Sequence, residues 1–323
     1  MKYRTLSMLA AMVVSVAMTR AQAADTATGT LQSLFEEAWE RELSEDPESA
    51  SRLGIARYNA RWSDRSLAAI EQSHRQDIAL LAALDRIDPA ELSAADRLNR
   101  ELFQRKYQGA VDEWRYRAFV RPLNQRGGAQ SLHQLAEVLP FRDRSDYADW
   151  IARLRTIDVR LEQTTELLRM GIAERNVQPR VIMERIPEQI RRQIVDDPAA
   201  SPFFTPFLRM PETIGELERD RLTEQALTAI SRVVVPAYRR FLDFFEQQYL
   251  PASRASTGID DTPAGSDWYQ NRVSWYTTTN SSAAEIHELG LTEVRRIRAA
   301  MLELIERTGF EGGFEEFLAF LRT

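Results

Sequence analysis

Two adjacent residues, His287 and Glu288, have the side chains of a zinc-peptidase site. They lie in the segment TTTNSSAAEIHELGL. In the short zinc motif a second histidine follows four residues after the first, so that both imidazoles project from one helix face while the glutamate acts as a base. The residue at that position is Leu291, and the other histidines are isolated at His74 and His133. The sequence therefore predicts no metal site and no cofactor in this chain.

A helix that begins near Ser282 places His287 in the middle of an apolar face, because successive helical residues turn by about 100°. The apolar residues that share this face are Leu291, Val294, Met301 and Ile305. We expect the imidazole to point inward, towards the core or a cleft, with Glu288 to one side. Two interpretations of His287 stay open: a buried histidine that is hydrogen-bonded near the helix start, or a residue that lines a substrate cleft.

Arg298 falls on the same face, where a charge without a partner is costly. It is predicted to meet an acid, a carbonyl or a substrate carboxylate. The preceding segment WYQNRVSWYTTT combines aromatic and β-branched residues, which predicts a short strand or hairpin near 268–279. An extended peptide binds well along such a strand edge. The candidate substrate groove consists of Trp275, Tyr276, Thr278, His287, Glu288 and Arg298.

The segments that must position these residues are mostly helical in pattern. Apolar residues recur at spacings of three and four, which predicts a mainly α fold built as a multi-helix array. Ser93 and Ser282 are each followed three residues later by an acid, a pattern typical of helix starts. Pro236 interrupts the run at 212–249 and is expected to kink or split that helix.

The proline- and phenylalanine-rich segment DDPAASPFFTPFLRMP departs from this pattern. Its four prolines exclude an α-helix, and Phe203, Phe204 and Phe207 make it too apolar to stay in water. We expect it to pack as a buried connector. Neither this segment nor 251–280 resembles a flexible linker, so one continuous domain over 24–323 is predicted.

The N-terminus has the features of an export signal. Lys2 and Arg4 precede an apolar run of 13 residues, and a small-residue cleavage site follows at Ala21-Gln22-Ala23. Such a run is too short to span a bilayer. We predict a signal peptide at 1–23 and a periplasmic or secreted protein that has no membrane contact after cleavage.

The composition is that of an ordinary globular protein, with 44% hydrophobic and 28% charged residues and no cysteine. The absence of cysteine excludes disulfides, thiol nucleophiles and thiolate metal ligands. Removal of the signal takes away three basic residues and lowers the formal net charge from −6 to −9. An acidic chain of this kind is not expected to bind nucleic acid or anionic lipid.

Several segments of the chain resemble one large bacterial family, catalogued as domain of unknown function 885. They are, in order, EDPESASRLG, ARYNARWSD, RPLNQRGG, GIAERNVQPR, SPFFTPF, VVPAYRRF, YLPASRASTG and TTTNSSAAEIHELGLTEVRRIR. The resemblance implies an exported, helical, zinc-metallopeptidase-like protein. In the family the presumed metal motif, a His-Glu followed by Gly-His-His, lies downstream of these segments, whereas this sequence ends at FEEFLAFLRT.

The resemblance thus implies the N-terminal portion of a larger domain, incomplete relative to the family fold and not catalytic alone, with zinc expected only in a full-length relative. No catalytic or metal residue of the family corresponds to a position here. A second hypothesis is a non-catalytic helical module that binds peptides or a partner protein. The expected partners are accordingly a peptide substrate or another protein.

Overall fold

Helices form where the apolar residues recur with helical spacing, so the predicted mainly α fold is confirmed. The computed structural model describes residues 26–322, and the predicted signal at 1–23 lies outside that range. The helices are α1 (helical over 26–45), α2 (Pro47–Arg52), α3 (Leu67–Leu84), α4 (Ala94–Glu113), α5 (Arg144–Ala173), α6 (Arg180–Met183), α7 (Ile186–Arg191), α8 (Glu216–Ala229), α9 (Val235–Phe244), α10 (Leu250–Ala252), α11 (Gly265–Thr277), α12 (Ala283–Arg307) and α13 (Phe314–Phe320).

The predicted strand or hairpin near 268–279 is wrong, because this segment forms α11 and, over 26–322, the structure contains no strand. Its aromatic residues recur at helical spacing, with Trp268 and Trp275 seven positions apart and Tyr269 and Tyr276 likewise. The Arg272 guanidinium also lies 4.8 Å above the Tyr276 ring, one turn away. Helical periodicity therefore outweighs the strand propensity of the individual residues.

By contacts the chain divides into two units, one ending at Pro263 and one beginning at Ala264. The prediction of one continuous domain stays a prediction. The first unit is organised around α5, which packs against α8, α9 and the π-helical segment at Ile230–Val234. Its core is rich in large aromatic side chains; the most deeply buried include Tyr147, Trp150, Phe203, Tyr238, Phe241 and Phe245.

The proline-rich connector packs against α5, as the sequence predicts for its phenylalanines. Phe203, Phe204 and Phe207 are all buried. The backbone carbonyl of Phe203 accepts a hydrogen bond from Trp150 Nε1 at 3.0 Å. The segment is not irregular, however, since Pro202–Arg209 forms 3-10 turns. Such turns are short enough to accommodate proline where an α-helix is not.

The predicted interruption at Pro236 is present as a change of helix type. The π-helical segment Ile230–Val234 ends immediately before α9, and Pro236 lies in the first turn of that helix, where a missing N–H is tolerated. The N-caps at Ser93 and Ser282 are confirmed: their hydroxyls accept hydrogen bonds from the amides of Asp96 and Glu285. No helix of the described residues is both long enough and apolar enough to cross a membrane.

Candidate functional site

The residues of the predicted substrate groove all fall in the second unit. Trp275 and Tyr276 lie in the last turn of α11, and Thr278 ends that helix in the left-handed conformation, at φ 57°. His287, Glu288 and Arg298 lie on α12. The loop between the helices is held by a hydrogen bond of 2.9 Å from Gln270 Nε2 to the Ser281 carbonyl. The structure thus places the six residues on two consecutive helices and the turn between them, without the predicted strand edge.

Neither His287 nor Arg298 is buried in a core, because both side chains are exposed, and their place in a substrate cleft stays a prediction. The face itself exists: Leu291 and Val294 share it and are 43% and 64% exposed. Ile305 is the one buried residue of α12, in the part of the helix against which α13 packs. Periodicity identifies which side of a helix is apolar, but it does not reveal what covers that side.

Within 26–322 the contact formed by Arg298 is with an aromatic ring and not with an acid, and its predicted contact with a substrate carboxylate stays a prediction. Its guanidinium lies 5.5 Å from the centre of the Phe314 ring, at the start of α13. This cation–π contact satisfies a charge at an exposed site without an acid. Glu288 and Tyr276 are also exposed, the latter by 75%. The α12 face formed by His287, Leu291, Val294, Arg298 and Met301, called the α12 face below, is therefore a surface open to solvent.

The described residues do not supply a zinc site. Within 26–322, no three histidine or acidic side chains come together in a way that could hold a metal ion. His287 lies on α12, His74 on α3 and His133 in the 3-10 segment Ala129–Glu137. These residues therefore do not fit the zinc centre that the family resemblance implies for a full-length relative.

The first unit contains a cavity of about 650 Å³, which sequence analysis did not identify. This volume is in the range of small-molecule binding sites. The lining side chains come from α1, α3, α5 and the segments that follow α2 and α4. The charged and aromatic ones are Arg41, Glu45, Asp64, Arg65, His74, Asp77, Trp114, Phe119 and Arg160.

One side of the cavity is formed by paired charges on α1 and α3. Arg41 Nη2 donates to Asp77 Oδ1 at 2.5 Å, and Glu45 accepts a hydrogen bond of 2.9 Å from the Ser73 hydroxyl. Burial disfavours the charged form of Arg41, but the hydrogen bond and the charge of Asp77 raise the pKa of its guanidinium above the ordinary value. Arg41 therefore stays charged and is already occupied by Asp77.

A second side of the cavity is aromatic. The imidazole of His74 stacks on Trp114, with ring centroids 4.2 Å apart and an angle of 6° between the planes. Phe119 lies against the same tryptophan, at 5.1 Å between centroids. The three rings form a continuous aromatic wall. Gly128, at φ 138°, brings the backbone close to this cavity, and a Cβ there would lie 2.5 Å from Leu123 Cβ.

Arg160 forms the deepest charged part of the cavity lining and is only 8% exposed. Its Nη1 donates to Thr164 Oγ1 at 2.6 Å, and its Nε lies 3.8 Å from Glu48 Oε1, beyond hydrogen-bond distance. The Nε is buried without a hydrogen-bond partner. Burial, together with the nearby charge of Arg65, lowers the pKa of Arg160 to about 10, against the opposing charge of Glu48. The guanidinium is therefore charged at neutral pH but incompletely satisfied.

No local sequence signal points to this cavity. Glu45, His74 and Arg160 lie on three helices and are far apart along the chain. The one available sign was that Arg160 continues the helical face that carries the buried Trp150 and Arg153. A charged residue inside an apolar face needs a partner, but the identity of that partner depends on the tertiary fold.

Comparison with known proteins gives a family match and similar solved structures. The sequence model of a family described as "Bacterial protein of unknown function (DUF885)" matches residues 47–323. The crystal structure described as "the putative lipoprotein from Colwellia psychrerythraea" is similar in fold, with a TM-score of 0.78 and 21% sequence identity. The similarity covers 89% of this chain and 52% of that one, so the chain spans about half the length of that structure. A search of curated proteins gave no match.

Proposed function

Because the chain belongs to the bacterial family of unknown function DUF885, we propose that it forms the N-terminal part of an exported, metallopeptidase-like protein. In this proposal the chain contributes the helical scaffold and one wall of a peptide-binding groove, and it does not catalyse hydrolysis alone. The match over residues 47–323 supports membership of the family, and the metallopeptidase-like part of the proposal rests on what the resemblance implies. The coverage of only 52% of a matched structure supports a larger complete fold.

The uncovered α12 face is the single observation on which the proposal rests. Leu291, Val294 and Met301 are all at least 38% exposed, although their helical spacing is that of a packed face. A soluble monomer rarely leaves such a contiguous apolar surface without a partner. In the proposal the rest of the family fold packs beside this face, and His287 and Arg298 line the groove at the junction.

The proposal is tested first by metal content and hydrolysis. The purified chain should contain zinc well below one ion per molecule and should not hydrolyse unfolded protein substrates. Stoichiometric zinc together with hydrolysis that a chelator abolishes would contradict the assignment of this chain as non-catalytic. Translation of the gene beyond codon 323 provides an independent check, because a downstream His-Glu and Gly-His-His are expected.

The exposed α12 face also favours a second candidate, a helical module that binds a peptide or protein without any catalytic part. The two candidates differ in one expectation: the non-catalytic module should bind peptides without any further part of the family fold. For the module, a fluorescent peptide library should bind saturably, and His287→Ala or Arg298→Ala should weaken binding. Arg296→Ala is the matched control, since Arg296 is exposed on the opposite side of α12 and is paired with Glu293 at 2.8 Å.

Export to the periplasm or medium is the remaining part of the proposal. It is supported by the signal-like pattern of residues 1–23 and by the description of the Colwellia psychrerythraea structure as a lipoprotein. Mass spectrometry of the protein produced in a bacterial host should show an N-terminus at Ala24. An intact Met1 on protein recovered from the cytoplasm would contradict it.

A further inference from the structure

We propose that the cavity of the first unit binds a free amino acid or a dipeptide, held by its carboxylate and its ammonium group. The inference concerns a site separate from the α12 face and does not depend on the metallopeptidase-like assignment. It rests on three features of the cavity lining: the unsatisfied arginine, the balance of charges and the aromatic wall.

The carboxylate position is set by Arg160 and Arg65. Arg160 uses Nη1 for Thr164, and its buried Nε has no hydrogen-bond partner among the described residues. The side chain of Arg65 is exposed and likewise forms no hydrogen bond or ion pair, although its charge acts on Arg160. Two adjacent guanidinium groups with free donors are suited to a carboxylate, which accepts paired N–H bonds from arginine. An anion between them would also reduce their mutual repulsion.

The charges of the cavity lining favour a zwitterionic ligand over a multiply charged anion. The three arginines in the lining, Arg41, Arg65 and Arg160, are matched by Glu45, Asp64 and Asp77. Arg41 and Asp77 neutralise each other, which leaves two positive and two negative groups in the lining itself, while Glu48, outside the lining, lies 3.8 Å from the Nε of Arg160. Among the described residues Glu45 accepts one hydrogen bond, from the Ser73 hydroxyl, so its carboxylate has capacity for an ammonium group. A phosphate dianion in the cavity would be attracted by the arginines but repelled by Glu45 and Asp64.

The aromatic wall indicates the side chain of the ligand. Trp114, His74 and Phe119 pack ring against ring and line a cavity of about 650 Å³, which exceeds the need of glycine or alanine. Aromatic side chains pack favourably on such walls. The expected ligand therefore carries an aromatic or large apolar side chain between its two charged groups and this wall, as phenylalanine or alanyl-phenylalanine does.

Isothermal titration calorimetry of the purified chain tests this assignment. Alanyl-phenylalanine should bind at one site per molecule, and its C-terminal amide and its N-acetyl form should each bind at least roughly tenfold more weakly, because each lacks one charge-assisted contact. Arg65→Gln, Arg160→Gln and Glu45→Gln should weaken binding by a similar factor. Arg75→Gln is the matched control, because Arg75 is exposed on α3 beside His74 and is not part of the cavity lining.

Circular dichroism should be recorded for each variant to check that it folds. If Arg160→Gln does not fold, Arg65→Gln still tests the proposal, because Arg65 is exposed and its substitution should not disturb the core. The proposal is overturned by absence of binding for phenylalanine and the dipeptide. It is equally overturned if the amide binds as well as the free acid, if Arg65→Gln has no more effect than Arg75→Gln, or if inorganic phosphate binds in preference to the dipeptide.

Discussion

Arg153 and Arg160 lie two turns apart on α5, and their different surroundings show how one residue type serves two roles. The Nη2 and Nε groups of Arg153 donate to the carbonyls of Pro47, Tyr58 and Arg61 and to the Ser51 hydroxyl, at 2.7 to 3.2 Å. Arg160 has one hydrogen bond. Arg153 therefore anchors the chain after α1 and leaves Nη1 without a hydrogen bond, whereas Arg160 lies beside a cavity and leaves its buried Nε without one.

We expect Arg153→Met to lower the free energy of unfolding by about 3 kcal/mol or more, since it leaves several buried acceptors without a donor. Urea unfolding followed by circular dichroism measures the change. Arg155→Met is the matched control, because Arg155 is exposed on the same helix. Equal effects of the two substitutions would show that the hydrogen bonds of Arg153 contribute little.

His133 should make stability depend on pH. Burial lowers the pKa of this imidazole below its ordinary 6.5, against the opposing charge of Glu137, and Nδ1 is buried without a hydrogen bond. Below pH 6.5 the unfolded chain binds a proton that the folded chain resists, so stability should fall as pH decreases towards the lowered native pKa. His133→Gln should remove this part of the pH dependence of the urea midpoint.

Glu137→Gln provides the complementary test of His133. Removing the negative charge should lower the pKa of His133 further and extend the loss of stability to lower pH. If Glu137→Gln and the unchanged chain have the same pH profile, the charge of Glu137 does not act on His133. A profile unaffected by His133→Gln would assign the pH dependence to other groups.

At the scale of elements, α5 begins at a well-defined cap whose loss has a predictable cost. The Asp143 carboxylate accepts hydrogen bonds from the amides of Ser145 and Asp146, at 2.8 and 3.2 Å. Asp143→Ala should lower the free energy of unfolding by about 1 kcal/mol. Asp143→Asn retains an acceptor and should cost less. Thermal unfolding distinguishes the two, and an equal loss for both would show that charge, not capping, is responsible.

The helices and their starts could be predicted from the sequence because their causes are local. Ser282 and Glu285 lie three residues apart and form the capping box of α12 in the structure. The wrong prediction of a strand near 268–279 has a local cause as well. The individual preferences of Trp275, Tyr276 and Thr277 favour a strand, whereas the seven-residue spacing of the aromatics favours a helix. Spacing is the stronger signal when a segment is long enough to complete several turns.

At the scale of the whole molecule, local patterns leave the tertiary arrangement open. The helical spacing of the apolar residues predicts the α12 face, but the exposure of that face depends on which parts of the fold lie beside it. The cavity is a similar case, because Glu45, His74 and Arg160 become neighbours only when α1, α3 and α5 pack. Both candidate sites therefore depend on contacts between elements, whereas the caps and helices depend on contacts within them.

The exposed α12 face should determine how the purified chain behaves in solution. An uncovered surface that contains Leu291, Val294 and Met301 should bind a hydrophobic dye and promote association at high protein concentration. The double substitution Leu291→Glu and Val294→Glu should reduce dye fluorescence and association without lowering the midpoint of thermal unfolding, because neither side chain is buried. Leu217→Glu is the control, since Leu217 is 86% exposed on α8 and lies outside the face. A lower midpoint in the double variant would show that the face is packed within the chain, and no partner would then be needed to cover it.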